Sequence, residues 1–526
     1  MSCLRRFASA GLLLPLVPLL VWSCTSDDSS GDQPAADSGV ADVGSDTIVT
    51  ADTSPPDDAG PVIHCALDNG TDPASLCVQK VIFQQWHEAA FIKDLGVAES
   101  WDSTTFLPDK SSSGEIFHST VDDVRYAAAL ARYRISALRY GDTELNYLTD
   151  PDLADIATRI QAELVDAPSD DLPELYVALR AAATSYRTLG LDQADAFDAL
   201  ADKVGAAIFA TYHPLSAPAP GDAGDAGGDA ADASDASTAD TGVADASADS
   251  PDALAPIGDG ILGAPIAGGG FSYAPADVVT GGYALLDMAL RHSTDKASAY
   301  AWQRAAVSAI EHVHARAREA TTGMYYASMI ALDGAAADTL PSAPTPPTPN
   351  DALLADVQAT IALSLSRAQE LVSKSASAFG AIPPYPFDAH AAEAIASSNG
   401  AHSLWDEAGT KGYFEGFVPS TSTMITTKTT RANARFFAAL HRVQSTVGTS
   451  FASQLKPLRV VLTTRIPEHS GLLSVLPDQG AFLERAPASF DFGTSPATAP
   501  RERSFFSRDD AAALDGFWEQ WFALPF

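Results

Sequence analysis

Apolar residues return at every third or fourth position through long alanine-rich stretches of this chain, and that spacing constrains its fold more than any other feature. In SAYAWQRAAVSAIEHVHARAREA, the residues Trp302, Ala306, Ile310, Val313 and Ala317 fall on one helical face. In TKTTRANARFFAALHRVQSTVG the equivalent stripe is Ala432, Phe436, Leu440, Val443 and Val447, and Val357, Ile361, Leu365 and Ala368 make a third. The same spacing predicts helices over Cys77 to Leu95, Asp122 to Tyr140, Pro151 to Leu164, Asp171 to Leu189, Gln193 to Tyr212, Ala276 to Arg291, His390 to Trp405, Phe451 to Thr464 and Arg508 to Phe522, which brings the number to twelve. No run combines β-branched alternation with hairpin turns strongly enough to compete, although RVVLTTRI from Arg459 could be read as a strand. An all-α fold is the expectation.

Two tracts interrupt the helical pattern. Residues 25–62 hold nine aspartates and residues 215–260 hold ten more, with no lysine, arginine or glutamate in either. Such Asp, Ala, Gly, Ser and Thr sequence cannot bury enough apolar surface to offset its chain entropy, so both tracts are expected to be disordered and extended by self-repulsion. A calcium loop would need a closing glutamate that neither tract contains. The formal charge of -35 is concentrated in these tracts, and the remaining acidic body offers no basic footprint for nucleic acid.

The first 23 residues carry Arg5 and Arg6, then an apolar run from Gly11 to Trp22 that is broken by Pro15 and Pro18 and is too short to span a bilayer. They read as a secretion signal. The run closes on Val21-Trp22-Ser23-Cys24, which resembles a bacterial lipobox, with Trp22 where a small residue is usual. The resemblance implies lipidation of Cys24, residues 24–62 as a tether, and an outer-membrane lipoprotein held by its acyl chains, each methylene contributing about 0.8 kcal/mol. With Cys3 lost with the signal and Cys24 lipidated, Cys65 and Cys77 are left. In an oxidising compartment they are expected to pair, closing a short loop worth about 3 kcal/mol; a metal site using His64 is the rival reading.

A short pattern recurs between the predicted helices: SGEIFHS from Ser113, TGMYYAS from Thr322, KGYFEGF from Lys411 and SGLLSVL from Ser470. In each, a glycine able to take positive φ precedes bulky residues that re-enter the core. Twelve helices joined by such aromatic turns resemble the six-hairpin toroids, the (α/α)6 barrels of many glycoside hydrolases, polysaccharide lyases and N-acylglucosamine 2-epimerase-like proteins. The resemblance covers most of the chain from about Ala74 onward and implies, for a domain of residues 63–526 interrupted by 215–260, a toroid-like helical barrel whose loops converge on a sugar, with aromatics stacking on pyranose faces and carboxylates supplying acid and base. An oligosaccharide or polysaccharide would be its ligand.

Within that reading the stretch LWDEAGTKGYFEGF, Leu404 to Phe417, is the richest in chemistry. Asp406 or Glu407 would act as general acid, Glu415 as partner or ligand to a sugar hydroxyl, and Trp405 and Tyr413 as a stacking platform. The competing reading makes Asp406 a turn residue, Gly412 the bend, Glu407 a solvated side chain and the aromatics core. Trp101, in an entry loop, and Tyr325 and Tyr326, in the second recurring turn, are candidate sugar-stacking residues. Lys428, Arg431 and Arg435 present cations that would bind an acidic sugar or pair with the acidic body, with Arg431 the candidate for substrate. His312 and His314, two apart on a helix, point away from each other and cannot share a metal ion. The histidines at 390, 402, 441 and 469 are scattered along the chain. There is no GxSxG, HExxH, GxxxxGK[ST] or GxGxxG, so no cofactor is expected. A non-catalytic lipoprotein binding a glycan, peptide or protein on the same scaffold is the alternative function.

Overall fold

Ten α-helices account for most of the described residues. A computed structural model describes residues 110–116, 119–140, 149–164, 171–216, 258–342 without 268, 349–408 without 381 and 383, and 411–463, with short strand pieces at 91–92, 96–97, 474–475, 481–482 and 485–486. All of these lie in the unit Pro61–Phe526. The helices are α1 (Thr120–Tyr140), α2 (Asp150–Glu163), α3 (Leu172–Thr188), α4 (Gln193–Ala210), α5 (Pro275–Arg291), α6 (Lys296–Arg316), α7 (Ala355–Lys374), α8 (Phe387–Ser398), α9 (Thr430–Val447) and α10 (Ala452–Thr463).

Their packing is that of two concentric courses. Helix α1 packs on α3, α3 on α5, α5 on α7 and α7 on α9, while each even-numbered helix lies against the odd-numbered helix before it. Sequence explains the division. Helix α5 buries residues on every side, from Val278 through Ala289 with one gap at Tyr283, as a helix walled in by neighbours must. Helix α4 buries only a stripe, Ala194, Phe197, Leu200, Ala201, Gly205 and Ile208, and gives its other face to water. The three stripes read from sequence are buried as expected except at Trp302 and Val357, which are half-buried, and at Val447, which is exposed in the last turn.

Short strands lead into the inner course. Tyr273 ends a strand just before α5, Leu354 just before α7 and Thr429 just before α9. Phe271–Tyr273 pairs with Ala264–Pro265 and Met329–Ala331, and Gly416–Val418 pairs with Leu353–Leu354 and Thr423–Ile425, all antiparallel. The strands Tyr212–Pro214 and Gly260–Leu262 also pair antiparallel, with Pro214 opposite Gly260, so the chain leaves for the Asp-rich segment and returns at one place. Residues 217–257 lie outside the described residues, but the ends of the tract expected to be disordered are ordered: Leu215 is buried, Asp259 bonds His312 and Gly260 pairs in the strand.

The recurring glycine pattern is a structural unit. Gly114, Gly323 and Gly412 all have positive φ, at 88°, 74° and 87°, a conformation that costs any residue with a Cβ. Each sits in a tight turn closed by an isolated bridge: Lys110 with Ile116, Arg318 with Tyr325, and Trp405 with Tyr413. In the last two, a side-chain amide from the inner helix receives the re-entering tyrosine. Gln358 of α7 accepts from Tyr325 N–H at 2.9 Å and donates to its carbonyl at 2.7 Å, and Asn433 of α9 does the same for Tyr413 at 2.6 and 3.0 Å. The turn predicted at Ser470 lies outside the described residues.

Two predictions of local structure need correction. Phe91–Ile92, inside the segment expected to be helical, pairs instead antiparallel with Gly96–Val97. The helix expected over His390 to Trp405 starts at Phe387 and stops at Ser398, because Asn399 and Gly400 end it and Leu404 to Tyr413 form the re-entrant turn. The RVVLTTRI segment is helical through Thr463. The helix predicted over 508–522 lies outside the described residues.

Candidate functional site at the start of the inner helices

Every inner helix begins with charge. Asp122 and Asp123 stand in the first turn of α1, Glu174 in that of α3, Asp277 in that of α5 and Asp356 in that of α7. An acid there is locally favourable, since the unpaired N–H groups and the positive end of the helix dipole attract it, and Pro173 and Pro275 suit the first turn because they need no N–H partner. Helix α9 is the exception: its opening turns carry Arg431 and Arg435, two cations against the dipole. They are stabilised by the acids of the neighbouring helices.

These first turns converge. Arg435 donates to Glu174 at 2.6 Å, to Asp356 at 3.2 Å and to Thr360 at 2.7 Å. Arg431 lies 3.3 Å from Asp356 and 3.8 Å from Glu174. From the other side Arg125 of α1 bonds Glu174 and lies 3.4 Å from Asp122. Glu174 thus gathers arginines from α1 and α9, the first and last inner helices described, which bends the inner course round toward closure. The carboxylates of Asp122 and Asp123 are both buried here. Asp171, which caps α3, is held with φ at 74°, an unusual backbone state for an aspartate.

Asp277 has the chemistry of an acid poised to give up a proton. Its side chain is exposed, yet the surrounding protein removes enough water to raise its pKa, and the charges of Asp171 and Glu174 raise it further against the pull of Arg435 and Arg431. The result is about 6. One carboxyl kept partly protonated near neutrality beside others engaged by arginine is the separation of roles that acid–base catalysis requires.

The residues singled out in Leu404 to Phe417 lie in the third re-entrant turn. Asp406 is buried and bonded at 2.6 Å by Lys428, whose side chain is fully buried. Tyr413 is fully buried and stacks on Phe436 with centroids 3.6 Å apart, while Trp405 is buried and donates from Nε1 to Glu407 at 2.7 Å. Glu407 is largely exposed beside Lys411, and Glu415 accepts from the Thr427 hydroxyl. Tyr325 is buried and Tyr326 half-buried. Arg431 alone of the predicted binding residues joins the converging first turns. Lys428, inside the stretch expected to be helical with Arg431 and Arg435, instead precedes the helix in a short strand and bonds Asp406. Trp101, Cys24, Cys65 and Cys77 lie outside the described residues.

Elsewhere, His312 and His314 each sit in a charged cluster of their own. His312 is buried between Asp259 and Asp338, at 2.7 and 2.8 Å, with Arg316 and Tyr273 completing the group. His314 turns away from it toward His390, and His314, His390 and Glu393 bring ligand atoms within 4.8 Å of one another. No helix among the described residues is long and apolar enough to cross a membrane.

By sequence, the chain matches no family model and no curated protein. By structure it is similar to a D-mannose isomerase, with TM-score 0.53 and 10% identity over 86% of this chain and 98% of that one. It is also similar to an unsaturated glucuronyl hydrolase specific for heparin, with TM-score 0.52 and 11% identity over 86% of this chain and 97% of that one. A family 76 glycoside hydrolase from a bovine Bacteroides thetaiotaomicron strain aligns at TM-score 0.50 and 7% identity, covering 85% of this chain and 78% of that one. At such identities the likeness is one of fold, and the fold it identifies, with its paired inner and outer helices, is the six-hairpin (α/α)6 toroid.

Proposed function

We propose that this protein processes carbohydrate, as a glycoside hydrolase working where the first turns of the inner helices meet. The observation that carries the reading is Asp277, an exposed carboxyl raised to about 6 and set among the charges of Asp171 and Glu174 from α3 and of Arg431 and Arg435 from α9. In this assignment Asp277 protonates the leaving oxygen, Asp171 or one of the Asp122–Asp123 pair supplies the second carboxylate, and Arg431 and Arg435 hold both that machinery and the sugar hydroxyls. The solved toroids named above act on sugars by their titles, which agrees with the reading.

The turn Leu404 to Phe417 takes a supporting part in this proposal. Asp406 is engaged by a buried lysine and Tyr413 by Phe436 and Asn433, so together with the buried Trp405 they hold the turn; Glu407, at its solvent edge, is the member able to touch a ligand. Lipidation at Cys24 would hold the enzyme at the outer membrane, with residues 24–62 as its tether, on the strength of the signal layout. Cys24→Ser should then move the protein from the membrane to the soluble fraction.

The test is hydrolysis of an oligosaccharide panel by the purified protein, followed by Asp277→Asn on any substrate cleaved. Removing a general acid should lower turnover by about 100-fold or more with melting unchanged. Full activity in Asp277→Asn would remove it from the role, and thermal shifts with glycans but no cleavage of any would favour the binding-scaffold reading instead.

A further inference from the structure

Outside the converging first turns, the outer course carries a second site. His314 lies in the last turn of α6, and His390 and Glu393 lie one turn apart in α8, so three side chains from two outer helices meet. The imidazoles of His314 and His390 face each other with centroids 3.5 Å apart. Their free edges point at a single oxygen: His314 Nε2 and His390 Nδ1 are each 3.6 Å from Glu393 Oε2. Ligand atoms bound at about 2.0–2.1 Å in a tetrahedral zinc site stand roughly 3.4 Å apart. Both histidine–glutamate separations are close to that spacing, and all three ligand atoms lie within 4.8 Å of one another.

The surroundings fit the same chemistry. The other nitrogen of His314, Nδ1, lies 3.0 Å from the Tyr325 hydroxyl, whose backbone Gln358 holds, so an outer partner fixes the ring and leaves Nε2 as the ligand atom. His390 Nδ1 is buried and has no hydrogen-bond partner among the described residues. Glu393 is half exposed, which leaves the fourth corner to water. The carbonyl end of α6 adds a favourable field for a cation.

One group opposes a metal. Arg318 Nη1 lies 3.1 Å from Glu393 Oε2 and 3.5 Å from His314 Nε2, close to where an ion would sit, while its Nε donates to the Gly323 carbonyl. We propose that His314, His390 and Glu393 form a site for one divalent transition-metal ion of the zinc class, for which the Arg318 guanidinium competes. The ion would tie α6 to α8 through the Tyr325 turn, a structural role that does not depend on the carbohydrate reading.

Titration of the purified, chelator-dialysed protein with Zn²⁺ against a chromogenic competitor tests it. One ion should bind per chain; His390→Ala and Glu393→Gln should each weaken binding by about 100-fold, and Arg318→Gln should tighten it. Glu393→Gln, at the surface, serves if His390→Ala fails to fold. Absence of saturable binding in both the native protein and Arg318→Gln, or stoichiometric binding that survives Glu393→Gln, overturns the site; unchanged affinity in Arg318→Gln overturns the competition.

Discussion

Asn433 satisfies both backbone hydrogen-bonding groups of Tyr413, accepting from its N–H at 2.6 Å and donating to its carbonyl at 3.0 Å. The residue is fully buried, and its second amide hydrogen goes to the Thr429 carbonyl at 2.8 Å. A single side chain therefore does for an extended dipeptide what a neighbouring strand would do, which lets a strand-like segment end against a helix. Gln358 repeats the device at Tyr325 one inner helix earlier.

Asn433→Ala leaves two buried backbone groups of Tyr413 without partners, since no water can enter beside a residue stacked on Phe436. The expected loss is about 2–4 kcal/mol. Denaturant unfolding measures it, and Gln358→Ala should show a loss of similar size.

Gly412 has φ at 87° in the same turn. Gly412→Val should cost about 1–2 kcal/mol or more, because a branched side chain resists the left-handed region. Unchanged melting would contradict the positive-φ geometry.

Lys428 and Asp406 form an ion pair out of contact with water, the lysine side chain fully buried and the aspartate nearly so. Burial lowers the pKa of Lys428 while Asp406 works to raise it, and burial prevails. Lys428→Met alone should cost about 3–5 kcal/mol by stranding the carboxylate, and adding Asp406→Asn should recover a large part of the loss. Equal losses in the single and double variants would refute the coupling, as read from urea melts of all four proteins.

His312 supplies a pH dependence. Burial would depress its pKa, but hydrogen bonds and charge from Asp338 and Asp259 outweigh burial and raise it. A raised folded-state pKa means that the protonated form stabilises the fold. That contribution is present in full below the unfolded value near 6.5, taken as roughly the ordinary histidine pKa, and is lost as pH rises through the folded value. Melting temperatures from pH 6 upward should fall faster for the native protein than for His312→Asn. The neighbouring charges, Arg316 among them, are shared by both proteins and cancel in the comparison.

For Asp277, activity on a cleaved glycan should fall above about pH 6 as the general acid loses its proton. The alkaline limb should be absent from the residual activity of Asp277→Asn. A limb that persists there belongs to another group.

The helices were legible because each buries a stripe three or four residues apart, and the recurring turns because glycine before aromatics has one economical backbone solution. The converging first turns were not, for a physical reason. Asp122, Glu174, Asp277 and Asp356 each look like ordinary helix starts, where an acid is favoured in isolation, and only the ring brings them to one place. A clue lay in α9, whose Arg431 and Arg435 violate that preference and so demanded acidic partners. His390 looked isolated because its partner His314 is on another helix. Asp406, prominent in sequence, owes its neighbours to packing: Lys428 arrives from a strand that periodicity alone assigned to the helix beyond it.

The pairing of Tyr212–Pro214 with Gly260–Leu262 has an evolutionary consequence. Once two arms are zipped at their root, the chain between them contributes only a closure term that grows with the logarithm of its length, about 0.6 kcal/mol per doubling. Replication slippage in an Asp-Ala-Gly stretch can therefore lengthen or shorten that excursion repeatedly while selection on the ring scarcely registers the change.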